Sequence, residues 1–352
     1  MTRAGFANAV REQAAWCGRL QSPLYAALLG CLAEDVESGG ACWQYLREYA
    51  VEPRRSLVPL RFTAMLHRMA LAGEWPQLAR CFPSCGGVAD ADGAWDAIVR
   101  ADLSGRAMPA GVQTNEVGRS CGLAPGFFQI ARATRLPLAL FEIGCSAGLN
   151  LRWDHYRYGT LGSADAAVVF PDAWSGEAAR TDVRITERRG CDLNPIDVTT
   201  EDGRLDLLSF VWPDQVERFD LLARAIAVAR RVPAQLERAD AAEWVARQVG
   251  ERRPGVCTVL FHSVMWLYLS DAARQVIHAA MQAAGERATA DAPLAWLSME
   301  AARRDRTDPV LPAVDQAEVA LTLWPGGERR VIAHSGYHGK GVVILPDTQT
   351  AR

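Results

Sequence analysis

The order of apolar and polar positions along the chain changes character once. Residues 1 to about 135 repeat apolar side chains at helical spacing. The stretch 23–36 (PLYAALLGCLAEDV) does so until Gly39-Gly40 stops it, and 57–71 (LVPLRFTAMLHRMAL) follows the same rule. Further helices are expected near 5–20, 92–103 and 113–133, and strand-like runs are almost absent. From Pro137 onward short apolar runs take over: LALFEIG (138–144), VCTVLF (256–261), PLAWLS (293–298), AEVALTLW (317–324) and GVVIL (341–345). Helical patterns at 214–230, 240–250 and 271–285 separate the earlier runs. Strands alternating with helices predict a mostly parallel sheet covered on both faces. The last two runs have no helix between them and suggest an antiparallel hairpin at one edge. The expected organisation is a helical extension over 1–135 and an α/β domain over 136–352.

Composition narrows the function classes. The chain has 352 residues, 38 basic against 41 acidic side chains and a formal charge of -3. A hydrophobic fraction of 49% excludes disorder as the main state. The charge balance gives no sign of a nucleic-acid partner. No apolar run reaches the ~18 residues of a membrane span, and the first residues lack a signal-peptide core. The nine cysteines form no CxxC pair, so neither a zinc knuckle nor a redox motif is indicated, and a reducing, cytoplasmic setting is expected. Lys340 is the single lysine, so any lysine-based chemistry would run through it.

The chemistry concentrates where the first apolar run ends, at Phe141-Glu142-Ile143-Gly144-Cys145-Ser146-Ala147-Gly148-Leu149-Asn150. A strand leading into small residues and then an expected helix lets the backbone approach a ligand. Glu142 can accept hydrogen bonds from an ammonium or a ribose. The E-x-G-x-S-x-G pattern resembles motif I of class I S-adenosylmethionine-dependent methyltransferases, with Ser146 in place of the middle glycine. The same residues also read as a G-x-S-x-G nucleophile elbow of an α/β-hydrolase, with Ser146 as nucleophile, Asp240 or Asp271 as acid and His334 or His338 as base. An elbow usually follows several strands, whereas a helical region precedes this one. A structural turn, or a non-catalytic nucleotide-binding or scaffold module that keeps the pocket, are further readings.

Later strand ends carry polar groups in an order that suits the first reading. Asp192 and Asp240 are candidates for the ribose hydroxyls and the adenine amino group, although Asp240 also suits an N-cap and Asp192 an Asx-type turn. The 50 residues between Glu142 and Asp192 exceed the ~30 of one βαβ step, so an insertion near 156–187 must loop out. His262 and Glu300 stand at the ends of later strands, and Tyr268 follows shortly after the first of these. His262, then Glu300 and Tyr268, are the candidate bases if the methyl acceptor carries a proton. Gln113, Asn115 and Arg119, in QTNEVGRS, form a polar cluster ahead of the first strand that suits a helix start closing over the turn. Arg119 suits a carboxylate there. No ligand spacing indicates a metal.

The segments QTNEVGRS, FEIGCSAGLNLRWDHYRYG, RRGCDLNPIDV, VWPDQVER and FHSVMWLYL resemble an uncharacterised bacterial family, domain of unknown function 2332, over about residues 20–345. The resemblance implies a Rossmann-like, methyltransferase-like fold with a helical N-terminal extension, and no substrate. The expectation is therefore a class I methyltransferase-like α/β fold with a mostly parallel seven-stranded sheet, an antiparallel edge hairpin and an all-helical extension. It would bind S-adenosylmethionine through Glu142, Gly144, Ser146, Gly148, Asp192, Asp240, Gln113, Asn115 and Arg119, and methylate a small molecule.

Overall fold

The computed structural model describes residues 1–52, 56–178, 181–251, 253–301 and 316–346. In chain order, helices α1 (Arg3–Arg19), α2 (Pro23–Ser38), α3 (Ala41–Leu46), α4 (Val58–Leu71), α5 (Pro76–Ala79), α6 (Ala91–Val99) and α7 (Arg119–Thr134) come first. Strands β1 (Leu138–Ile143), β2 (Arg157–Tyr158), β3 (Val169–Phe170) and β4 (Ile185–Asp192) follow. Then come α8 (Glu201–Ser209), α9 (Val216–Arg231), β5 (Gln235–Arg238), α10 (Ala241–Gln248), β6 (Cys257–Ser263) and α11 (Asp271–Glu286). The chain closes with β7 (Leu294–Ala301), β8 (Ala317–Trp324), β9 (Arg329–Ser335) and β10 (Val343–Ile344). It divides into two compact units: residues 1–114 with 198–223, and residues 115–197 with 224–352.

The first unit is helical. α2 shows why the sequence pattern forms it. Leu24, Leu28, Leu32 and Val36 fall on one buried stripe, Ser22 caps its start and Gly39, with φ 78°, ends it. Asp214 reinforces that start, accepting hydrogen bonds from the Ser22 hydroxyl at 2.6 Å and the Leu24 amide at 2.9 Å. Phe6, Leu29, Phe62, Leu66 and Phe82 belong to the shared core. His67 is sealed inside this unit, and burial pushes its imidazole down to about 4.

The second unit holds an eight-stranded sheet in the order β10-β9-β8-β7-β6-β1-β4-β5. Pairings β4–β5, β1–β4, β1–β6 and β6–β7 are parallel, while β7–β8, β8–β9 and β9–β10 are antiparallel. The expectation of seven mostly parallel strands is corrected to a mixed sheet. The expected closing hairpin is also corrected: β9 lies between the two runs, and β8 pairs with both β7 and β9. β9 escapes a reading by apolar runs because it opens on Arg329-Arg330, with Arg329 exposed. Counted among themselves, the five parallel strands run 3-2-1-4-5, the order of a doubly wound nucleotide-binding sheet. The switch point lies between β1 and β6. Both strands are buried along their whole length, as expected of parallel strands covered on two faces.

Each face has its own cover. On one, α7 packs through Phe127, whose ring meets Phe261 edge-on at 5.1 Å and stacks on Trp153 at 4.6 Å. Gly122 and Gly126 let this helix approach Met299 and Leu297 of β7. On the other, α10 and α11 share a core with Phe141, Trp244, Leu260, Ile277 and Met281. The long step between β1 and β4 is taken up by a 3-10 segment at Leu149–His155, the two-stranded β2–β3 ribbon and a loop.

Candidate functional site

The glycine turn leaves β1 at the switch point, the edge where open α/β sheets bind ligands. Gly144, Ser146 and Gly148 all have positive φ, at 67°, 51° and 66°. The backbone is thus left-handed at every second residue. This explains the glycines, and Ser146 adopts the same conformation at a steric cost of ~1–2 kcal/mol. A side chain at Gly144 would also press on Met265. The turn folds back over β4, where Gly190 leaves room for Cys145.

The expected helix after the turn is absent. The 3-10 segment Leu149–His155 stands in its place, interrupted by non-helical Arg152. The reason is that Asn150, Arg152 and Trp153 are pulled into the interior. Arg152 donates to the carbonyls of Gly148 at 2.6 Å, Ala147 at 3.3 Å and Val232 at 3.0 Å, which pins the turn from beneath. The turn amides are largely committed to the protein. Cys145 N donates to Cys191 O at 3.1 Å, Gly148 N to Cys145 O at 2.7 Å and Leu149 N to Asn115 Oδ1 at 3.0 Å. Ser146 N donates to Asp192 Oδ2 at 2.9 Å, and Asp192 Oδ1 accepts from Asn194 N at 2.9 Å. Asp192 thus ends β4 beside the turn and fixes it in place.

Glu142 is the unusual group. It lies on a strand whose six residues are all buried, and it is itself 2% exposed. Its Oε2 has no hydrogen-bond partner, and neither do the buried Ser146 Oγ and Asn150 Oδ1. Burial drives the Glu142 carboxyl well above the usual carboxylate range. Arg152, Arg119 and a hydrogen bond with Asn150 oppose the rise, and Asp192 adds to it. Folded Glu142 therefore keeps a proton that the unfolded chain releases above about pH 4.5. The corresponding stability is complete below that pH and is lost as pH rises through the folded value. Glu142→Gln, which is neutral at every pH, is expected to be more stable than wild type at pH 7–8. The gap should close toward pH 4.5, and thermal melts of both proteins across that range check it.

Asn115 and Arg119 approach from the start of α7. Asn115 bonds Leu149 as above, and Asn150 Nδ2 donates to Glu116 O at 3.4 Å. Arg119 donates to the carbonyls of Tyr337 at 3.0 Å and Ser263 at 3.3 Å. Gln113 falls in the helical unit. Asp240 N-caps α10, its Oδ1 accepting from Ala242 N at 2.8 Å and Glu243 N at 3.3 Å.

The candidate bases lie elsewhere. Glu142 is register partner to Phe261, so it shares the α7 face, while His262 points to the α10–α11 face. There His262 Nδ1 meets Glu300 Oε1 at 2.7 Å and the ring stacks on Trp266. Glu300 also accepts from the amides of Met265 at 3.1 Å and Trp266 at 3.3 Å, which holds the turn after β6. Tyr268 is 75% exposed on that turn. The hydrolase set is not assembled either. Ser146 Oγ has no partner, Asp240 caps a helix and Asp271 receives Arg274 at 3.2 Å. His334 sits on β9 opposite Glu318, and His338 bonds Glu116. Residues outside the expected set but present at the site are Asn150, Arg152 and Glu116. A buried polar residue directly after a glycine turn was the available signal for the first two. Among the described residues no group of three or more His, Cys, Asp or Glu is placed to hold a metal. No helix there is long and apolar enough to cross a membrane.

Residues 7–343 match the model of a family described as an uncharacterized protein conserved in bacteria (DUF2332). No curated protein and no solved structure matches the chain.

Proposed function

Because the chain belongs to this uncharacterized bacterial family, DUF2332, its function has to be read from the site, and we propose that it is an S-adenosylmethionine-dependent methyltransferase acting on a small molecule. One observation carries the reading. The switch-point turn of a 3-2-1-4-5 sheet is lined by carboxylates, its amides are largely used by the protein, and no α-helix starts behind it. A phosphate-bearing nucleotide needs free amides and a helix N-terminus, and it would meet Asp192 as a like charge. A cationic nucleoside suits the same groups. The orphaned Oε2 of Glu142 fits an ammonium or sulfonium, whose charge would repay the burial of that carboxylate.

In this reading Glu142, Ser146 and Asn150 hold the amino-acid end. Asp192 accepts the ribose hydroxyls through its remaining lone pairs, and Asp240 stands at the adenine end. Bound S-adenosylmethionine supplies an electrophilic methyl group. The protein's part is alignment: the pinned turn fixes the direction from which an acceptor approaches, which carries much of the rate of an in-line displacement. The corresponding experiment incubates the purified protein with S-adenosylmethionine labelled in the methyl group and the low-molecular-mass fraction of a bacterial extract. Label is expected to move into a small molecule. Cofactor binding without transfer to any small molecule would instead mark a non-catalytic binding module.

A further inference from the structure

The loop after β9 brings a second ionisable pair to the same side of the sheet as Glu142. His338 Nδ1 lies 2.9 Å from Glu116 Oε2, across 222 residues of sequence. The Glu116 side chain is 6% exposed and that of His338 38%. Glu116 Oε1 is held by the Gly118 amide at 3.4 Å, so its carboxylate is fixed from both oxygens. The pair is tied to the glycine turn by short steps. Asn115, next to Glu116, bonds Leu149 N, and Asn150 bonds both the Glu116 carbonyl and Glu142. Arg119 reaches from the same segment to the Tyr337 carbonyl, beside His338.

We propose that His338, oriented by buried Glu116, is the general base that takes the proton from a small-molecule acceptor at the mouth of the glycine turn. The assignment rests on the methyl-transfer reading above and deepens it: the acceptor carries an ionisable O–H, N–H or S–H. A carboxylate on Nδ1 fixes the tautomer with the proton on that nitrogen, which leaves the Nε2 lone pair to act. In the step itself that lone pair forms a new N–H bond, and the electron pair of the broken X–H bond stays on the acceptor atom. The imidazolium so formed faces Glu116, which stabilises it, and it later returns its proton to water. His262 also has a carboxylate on Nδ1, but it is 2% exposed, stacked on Trp266 and on the other face of the sheet from Glu142.

Nitrogen-15 NMR of the six histidines tests this, with His338 assigned by His338→Gln. Neutral His338 is expected to carry its proton on Nδ1. Glu116 and Arg119 face this turn from the start of α7, and Lys340 lies on the turn itself. Glu116→Ala removes the acceptor on Nδ1, so neutral His338 should then carry its proton mainly on Nε2, with the fold retained by circular dichroism. A proton on Nε2 in the wild type, or a tautomer that Glu116→Ala leaves unmoved, overturns the assignment. The second arm adds the amine analogue of S-adenosylmethionine, in which an ammonium stands at the methyl position. Binding, read by calorimetry, should shift the ring nitrogen-15 resonances of His338 and leave those of exposed His155 unchanged. A bound analogue that leaves His338 unmoved places the pair outside the site and overturns the proposal. If the analogue does not bind at all, the cofactor reading falls and the role of His338 with it, even where the tautomer is as expected.

Discussion

Gly339→Ala is expected to destabilise the sheet unit by roughly 3–5 kcal/mol, among the largest effects of any single substitution in this chain. Gly339 has φ +74°, and a Cβ there would run into the carbonyl of Gly118 and press on the amide of Arg119. Gly118 in turn faces the His338 carbonyl, so two backbones meet with no side chain between them. Neither can give way alone. α7 is anchored on the sheet through Phe127, and the loop is closed by Gly336 N to Lys340 O at 2.8 Å and Gly339 N to Gly336 O at 2.8 Å. Gly341→Ala is the matched control. It shares the left-handed conformation, at φ +62°, with nothing within 4 Å, and should cost only ~1–2 kcal/mol. Thermal melts of the two variants separate the clash from the strain. Equal losses would mean that this backbone contact does not hold α7 to the loop.

Asp192→Ala is expected to weaken S-adenosylmethionine binding by roughly 100-fold or more. Two effects combine. The carboxylate that would accept the ribose hydroxyls is removed, and the amides of Ser146 and Asn194 lose their acceptor, which also lowers stability by about 1–3 kcal/mol. Asp192→Asn retains one acceptor oxygen and should fall between the variant and wild type. Asp240→Ala provides the contrast. Its main contact is the α10 cap, so the stability loss is ~1 kcal/mol and the affinity loss smaller. Calorimetric affinities of the four proteins check this order. Wild-type affinity in Asp192→Ala would leave Asp192 as a residue that only holds the turn.

What could be read from the sequence followed periodicity. β1, β6 and β7 were legible because buried parallel strands are continuous apolar runs, and α2, α4, α9 and α11 because their stripes repeat at helical spacing. The glycine turn and the aspartate at the end of the neighbouring strand were legible as a pattern of small and acidic residues. The missing helix after the turn was not, because the apolar spacing of Leu149, Leu151 and Trp153 does not reveal that Asn150 and Arg152 are buried with them. The separation of His262 from Glu142 was also hidden. Each residue stands near a strand end, and only the register Glu142↔Phe261 puts them on opposite faces. The Glu116–His338 pair depends on a contact between distant segments, which no local spacing encodes.

The most direct measurement is calorimetry of S-adenosylmethionine binding at pH 7 in two buffers of different ionisation enthalpy. A cation placed against Glu142 favours its ionised form, so binding is predicted to occur with release of up to about one proton, and Glu142→Gln should bind without that release. No heat of binding at about 1 mM ligand would contradict the cofactor reading outright. Binding with the same proton balance in wild type and Glu142→Gln would remove Glu142 from the site.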